Sequence, residues 1–380
     1  MIVGVPKETF FGERRVALVP VSAAVLVKAK LVVEIEQGAG SEAGFADEMY
    51  AAAGAKIVES RQELFVDSDV ILQVRALGAN PSGWQEDIRL AHSGQVLIAT
   101  MDALSGPEPA LAAAKQGITT FALDLVPRIT RAQAMDVLSS QANLAGYKAV
   151  ILAADSLMKI FPMLMTAAGT ITPARVFVVG AGVAGLQAIA TARRLGAVVS
   201  AYDVRPVAKE QVESLGARFV QLPVDTGTAQ DAGGYAKSLG PEFYAKQAAL
   251  MARVIAESDV VITTAAVPGQ KAPILITREM VEQMQPGSVV VDMAAERGGN
   301  CELTRPGETV CIAGVSVLGP LNIPSSLAHH ASQLFGKNIT TFLLNIVKDA
   351  ALNIDTADEI VAETMLTHGG ELVNKKLKGE

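Results

Sequence analysis

Short runs of β-branched and aliphatic residues alternate with longer stretches rich in Ala, Leu and Glu along the whole chain. Apolar runs of about four to eight residues bounded by turn formers read as buried strands, and the stretches between them as crossover helices. In the first third the pattern predicts strands at 2–5, 32–36, 69–73, 96–99 and 119–123. A long helix over 139–159 follows, then Pro162 and a Gly/Thr/Pro segment at 166–173 that reads as a turn or hairpin. Six more strands are expected at 175–179, 198–202, 218–221, 260–264, 288–292 and 315–318. A second long helix over 325–348, with Leu334, Leu343, Leu344 and Ile346 as its apolar positions, carries the chain back to the first domain. The end, 360–366 and 371–377, reads as a β-hairpin turning at Gly369 and Gly370.

The length of 380 residues suits two domains. Charged residues make up 19% of the chain, below the usual value of about 25%, so some of the surface is expected to be covered by a second copy in a homodimer. A net charge of -7 argues against a nucleic-acid partner, because phosphate backbones are held by basic patches. Cys301 and Cys311 fit neither a disulfide framework nor a metal spacing, which suits a reducing cytosol. His92, His329, His330 and His368 are scattered, and no metal site is expected. The N-terminus lacks the apolar core of a secretory signal. The uncharged stretches 176–192 and 309–336 are interrupted by Gly, or by Pro and His, and neither reads as a membrane span.

Candidate chemistry begins at Gly180-Ala181-Gly182-Val183-Ala184-Gly185, a G-x-G-x-x-G run lying between an expected strand and an expected helix. The first glycine permits the tight turn, the second lets a pyrophosphate approach the backbone, and the third lets helix and strand pack closely. Asp203 closes the next strand, where a carboxylate accepts from a ribose 2′-hydroxyl and repels a 2′-phosphate, so NAD is expected over NADP. Arg205 cuts the other way, since a nearby arginine can accommodate that phosphate. Val204, Thr264 and Ala265 complete the candidate nucleotide set. The fold expected is α/β, two Rossmann-like domains with parallel sheets joined by long helices. The first comprises 1–138 plus 330–380, and the second, which binds the nucleotide, comprises 139–329.

The segments GVPKE, ERRVALVP, GAGVAG and VVDMAAERGGN resemble the family shared by alanine dehydrogenase and the NAD(H)-binding domain I of proton-translocating transhydrogenase. The segment at 127–147, PRITRAQAMDVLSSQANLAGY, resembles the transhydrogenase loop that contacts the nicotinamide half of the nucleotide. That resemblance implies contact roles for Arg128, Gln133, Asp136 and Ser139; read from the residues alone, the same stretch is equally a charged helix start. Alanine dehydrogenase needs an acid/base and cations for a carboxylate. Where that enzyme has a histidine this chain has Asp102, and its substrate lysine is replaced by Arg75, although Arg15 is retained. The segment at 225–240, centred on Tyr235 with Gly233 and Gly234 as hinges, resembles a mobile lid.

The resemblance implies hydride transfer from NADH bound here to NADP(H) on a partner domain, with a proton-conducting membrane subunit completing the enzyme. It implies a split subunit or an isolated domain, cytoplasmic and peripheral on the membrane through its partners. An alanine dehydrogenase-like oxidoreductase and a non-catalytic NAD-binding module are the alternatives.

Overall fold

The fold is given by a computed structural model that describes residues 1–221, 241–267 and 269–379. Two compact units emerge, Met1–Gln141 with Pro324–Glu380, and Ala142–Ile323.

The first unit holds an eight-stranded sheet among the described residues, in the order Glu371–Leu372, Met365–His368, Thr119–Ala122, Val96–Thr100, Val70–Arg75, Ile2–Val5, Val32–Glu36, Lys56–Val58. Pairing is parallel except at the edge formed by the last two chain segments. Val70–Arg75 is buried at its first five positions, as befits a strand covered by helices on both faces. Phe335, Ile339, Phe342 and Leu343 of the helix Ala328–Asn345 enter the core on one side with Val3, Ile35, Leu72 and Phe121. Leu64, Phe65, Ile71 and Leu97 build a separate core cluster.

The second unit carries seven strands among the described residues, ordered Arg218–Phe219, Val198–Tyr202, Arg175–Val179, Val260–Thr263, Val289–Asp292, Val315–Leu318, Thr309–Ile312. All pairs are parallel apart from Thr309–Ile312 against Val315–Leu318. Counted along the chain without that antiparallel edge, the order is third, second, first, fourth, fifth, sixth. This is the doubly wound Rossmann order, with its switch point between Arg175–Val179 and Val260–Thr263.

Several sequence expectations need correction. The C-terminal stretch is not a strand from residue 360, because Asp358 caps a helix, Glu359–Thr364, by accepting from the Ile360 N–H at 2.9 Å. Only Met365–His368 and Glu371–Leu372 form the hairpin, whose turn does fall on Gly369 and Gly370, at φ of 60° and 86°. Residues 375–378 are helical rather than extended, capped by Asn374. The long helices are Val137–Ser156 and Ala328–Asn345, each ending before the expected limit. Leu334 is 39% exposed, and the buried stripe runs instead through Phe335, Ile339 and Phe342. The hairpin expected at 166–173 is Leu164–Thr166 paired with Gly169–Ile171, all six residues exposed.

Phe342 is fully buried and its ring centroid lies 5.5 Å from that of Phe121. Truncation leaves a cavity at the junction of the returning helix and the sheet, so Phe342→Ala is expected to cost about 3–5 kcal/mol. Urea unfolding followed by far-UV circular dichroism checks this, and a midpoint equal to that of the parent would contradict it.

Candidate functional site

The turn after Arg175–Val179 is built from what three glycines lack. Gly180 sits at φ 97°, a left-handed conformation that favours glycine, and a Cβ there would lie 2.5 Å from Thr264 Oγ1. At Gly185 a Cβ would meet the Gly180 carbonyl oxygen at 1.9 Å, so the helix Val183–Arg194 packs against its own strand at backbone contact. Gly182 differs. A Cβ on it would have no neighbour within 4 Å, and its backbone is extended. The space a side chain would take is therefore open, directly at the N-terminus of a 12-residue helix whose first amides lack intrahelical partners. Helix dipole and free amides together suit an anion there, and the geometry fits a pyrophosphate.

Thr264 closes the other side of the turn, its hydroxyl donating to Gly180 O at 3.0 Å. Its neighbour Ala265 is clamped by Asn300, which accepts from the Ala265 N–H at 3.0 Å and donates to the Ala265 carbonyl at 2.8 Å and that of Pro273 at 2.9 Å. Asn300 is itself fixed by the fully buried Asp292. One oxygen of that carboxylate accepts from the backbone N–H groups of Asn300 (2.7 Å) and Cys301 (3.0 Å) and from Thr304 Oγ1 (2.6 Å). The other accepts from Thr263 Oγ1 at 2.9 Å and Ala294 N–H at 3.0 Å. Asp292 and Asn300 thus set the loop across the switch point from the glycine turn. Sequence reasoning used their segment, VVDMAAERGGN, only as a resemblance. A polar residue ending a fully apolar strand run was the signal that could have found Asp292.

Asp203 ends Val198–Tyr202 as expected and reaches back to the glycine turn, accepting from the Ala181 N–H at 2.7 Å. It is also bonded to Arg205, through the backbone N–H and Nε at 2.9 Å each and through Nη2 at 2.8 Å. The hydrogen bonds to Asp203 raise the Arg205 pKa, so the guanidinium stays charged. Val204 lies between the two.

A second helix shapes the turn, through a glycine that the sequence did not flag. Gly146 of Val137–Ser156 lies against the first turn of Val183–Arg194 so closely that a Cβ would fall 2.1 Å from the Ala184 carbonyl oxygen.

Arg128, Gln133, Asp136 and Ser139 belong to the first unit, around a 3-10 helix, Thr130–Met135. Arg128 and Gln133 are exposed, and Asp136 and Ser139 are half-buried. Asp136 accepts from Ser139 through both its backbone N–H (2.8 Å) and its hydroxyl (2.6 Å), so the two act together at the start of the long helix. The loop is braced by residues not singled out in the sequence. Arg131 makes a two-pronged pair with Asp358, which holds that carboxyl well below the usual range, and Asn338 donates to the Ala134 carbonyl at 2.8 Å. Tyr235, with its whole segment 225–240, lies outside the described residues.

In the same unit Arg15 is buried, donating through Nε and Nη2 to Glu13 at 2.7 and 2.6 Å and through Nη1 to Gln141 at 2.9 Å. Arg75 Nε donates to the same Glu13 at 3.1 Å, its guanidinium 4.4 Å from the centroid of the Phe10 ring. Burial by itself would push the Glu13 carboxyl up, but the two guanidinium groups outweigh it and hold it at about 2. Arg15 and Arg75 are therefore both engaged by an internal carboxylate. Asp102 is in a left-handed conformation, φ 50°, and accepts from Ser105 Oγ at 2.8 Å. Among the described residues no group of His, Cys, Asp and Glu is arranged to hold a metal.

Ala in place of Gly ordinarily stabilises a helix interior by about 1 kcal/mol. At Gly146 the clash with a backbone carbonyl reverses the sign, and Gly146→Ala is expected to destabilise by about 1–3 kcal/mol. A thermal melt reads the sign directly; a raised midpoint would contradict the packing described.

Comparison with known proteins agrees with this geometry. Residues 4–145 match the N-terminal domain of alanine dehydrogenase/PNT, and residues 149–375 match its C-terminal domain. The chain is 47% identical to an NAD(P) transhydrogenase alpha subunit protein of Rhodospirillum rubrum, with 100% of both chains covered. It is similar to a solved transhydrogenase structure from Sinorhizobium meliloti, at 49% identity and a TM-score of 0.87 over 98% of this chain and 100% of the other. An L-alanine dehydrogenase structure superposes with a TM-score of 0.81 at 27% identity, covering 100% of this chain and 98% of that one. With a Rossmann sheet, an open glycine turn and both family domains matched along its length, the chain belongs to the alanine dehydrogenase/transhydrogenase family.

Proposed function

We propose that the chain is the NAD(H)-binding component of a proton-translocating transhydrogenase, giving hydride from NADH to NADP held on a partner domain. The observation that carries this reading is the glycine turn at the switch point, open at Gly182 and flanked by Asp203. Relatives named as transhydrogenase alpha subunits, matched over nearly the whole chain, support the same reading.

NADH is a substrate here. Hydride leaves its nicotinamide ring for the ring of NADP, so one nucleotide is oxidised and the other reduced, with no proton moved at the reacting carbons. Such a reaction needs no general acid or base. It needs two rings held roughly 3–3.5 Å apart with water kept away. In this reading the glycine turn and Asp203 would anchor one end of the nucleotide, and Arg128, Gln133, Asp136 and Ser139 would orient the nicotinamide. The alanine dehydrogenase alternative is less well supported, because Glu13 engages both Arg15 and Arg75 and Asp102 stands where that enzyme has its histidine.

Among the described residues no helix is long and apolar enough to cross a membrane, so attachment to the cytoplasmic face would run through a proton-conducting partner subunit. We also infer a homodimer formed around the hairpin of the second unit. Met163, Leu164, Met165 and Ile171 expose 59%, 45%, 72% and 47% of their surfaces there, and clustered apolar exposure of that kind marks an interaction site.

Replacing Gln133 or Asp136 by Ala is expected to slow hydride exchange with an added NADP(H)-binding domain by about 100-fold. NADH affinity should fall far less, because the phosphate and ribose contacts lie elsewhere. Single-turnover rates at saturating NADH separate the two effects, and unchanged transfer in both variants would return the loop to a charged helix start. Sedimentation at micromolar concentration should give twice the mass of the chain, and Met165→Glu with Ile171→Glu should give the monomer; a monomeric parent would exclude the dimer.

A further inference from the structure

Asp203 is more heavily engaged than a ribose-binding carboxylate needs to be. Oδ1 accepts from the Arg205 backbone N–H and from Nε, both at 2.9 Å. Oδ2 accepts from the Ala181 N–H at 2.7 Å and from Arg205 Nη2 at 2.8 Å. An ionised carboxylate offers about four acceptor positions, and these four donors use them. A ribose hydroxyl that donates to Asp203 must therefore displace one. Two of the donors are backbone amides set by the glycine turn and by the chain after Asp203. The guanidinium is the partner able to turn away, and its side chain is 18% exposed while that of Asp203 is 6% exposed.

We propose that Arg205 is a latent binding group for a ribose 2′-phosphate, kept from that role by its two-pronged bond to Asp203. The Asp203–Arg205 pair, rather than the carboxylate alone, then sets the preference for NAD(H) over NADP(H). The inference rests on the nucleotide-binding reading of this turn. For NADH, one guanidinium bond is exchanged for a hydroxyl bond and the ion pair survives in part. For NADPH, a phosphate that draws the guanidinium away leaves Asp203 with its two backbone donors alone and facing a dianion, so the gain at the phosphate is offset by the lost ion pair and by repulsion. Neutralising Asp203 loosens this restraint on a planar fork of donors whose geometry matches a phosphate.

The test is fluorescence titration of the full chain with NADH and with NADPH. Asp203→Asn keeps an oxygen for the Ala181 N–H while removing the charge. It should bind NADPH about 10- to 100-fold more tightly than the parent, the range expected for hydrogen bonds to a charged group. Adding Arg205→Gln should abolish most of that gain, and salt should weaken it in the single variant. If the gain is equal in the single and double variants, relief of repulsion explains it and the proposal is overturned. No gain in a folded Asp203→Asn overturns it as well; if that variant does not fold, Asp203→Ser is read in the same way. A parent that binds NADH, beside an Asp203→Asn that gains nothing for NADPH, sinks the inference alone. A parent that binds neither nucleotide sinks the reading of the site as well.

Discussion

Everything at the candidate site depends on the close approach of Gly185 to the carbonyl of Gly180, a distance that leaves no room for a side chain. Because strand and helix touch through backbone, the helix N-terminus is held just beyond the end of Arg175–Val179. The uncompensated amides of that first turn, and the partial positive charge they carry, are thereby placed at the sheet's switch point. Gly146 repeats the device from a third side, bringing the helix Val137–Ser156 onto the Ala184 carbonyl. A phosphate cradle made of backbone is stiff, and it shows no preference for what the rest of the ligand is.

In the proposed function, selectivity and chemistry would come from side chains that are themselves held by other side chains. Asp292 positions Asn300, which clamps Ala265 opposite the glycine turn. Asp203 is fixed between Ala181 and Arg205. In the other unit Arg131, Asp358 and Asn338 brace the loop bearing Gln133 and Asp136. Carboxylates recur in these arrangements, Asp292 fully buried and Asp203 and Asp358 partly so, and each takes several donors and so ties several chain segments together. A reaction that only moves hydride between rings asks for this kind of positioning and for little else.

The parallel strands and the glycine turn could be read from the chain because their signals are local. A strand buried on both faces is a continuous apolar run, and a turn that needs missing side chains spells glycine. What escaped was either short or distant. Lys56–Val58 and Thr309–Ile312 are edge strands of three and four residues with exposed positions, too short to stand out as strands. The segment 360–364 opens on apolar residues that also suit a strand, and it starts as a helix at Asp358, a cap itself held by Arg131. The Asp203–Arg205 pair lies two residues apart, yet the sequence left their effects opposed; that they bind each other is visible only in three dimensions. Asn300 and Gly146 act on residues far away in the chain, and nothing in their own neighbourhoods announces it.

Gly182 offers the most direct test of the central claim, that the open space at this turn is a pyrophosphate site. Its extended backbone tolerates any residue and a Cβ there meets no described atom beyond its chain neighbours within 4 Å, so Gly182→Val should melt within about a degree or two of the parent, as expected where no native contact changes. The same side chain would stand where the phosphates must pass, and NADH titration should show affinity lowered by about 100-fold or more, the scale of losing phosphate contacts at a helix N-terminus. A folded Gly182→Val that binds NADH as tightly as the parent would contradict the account.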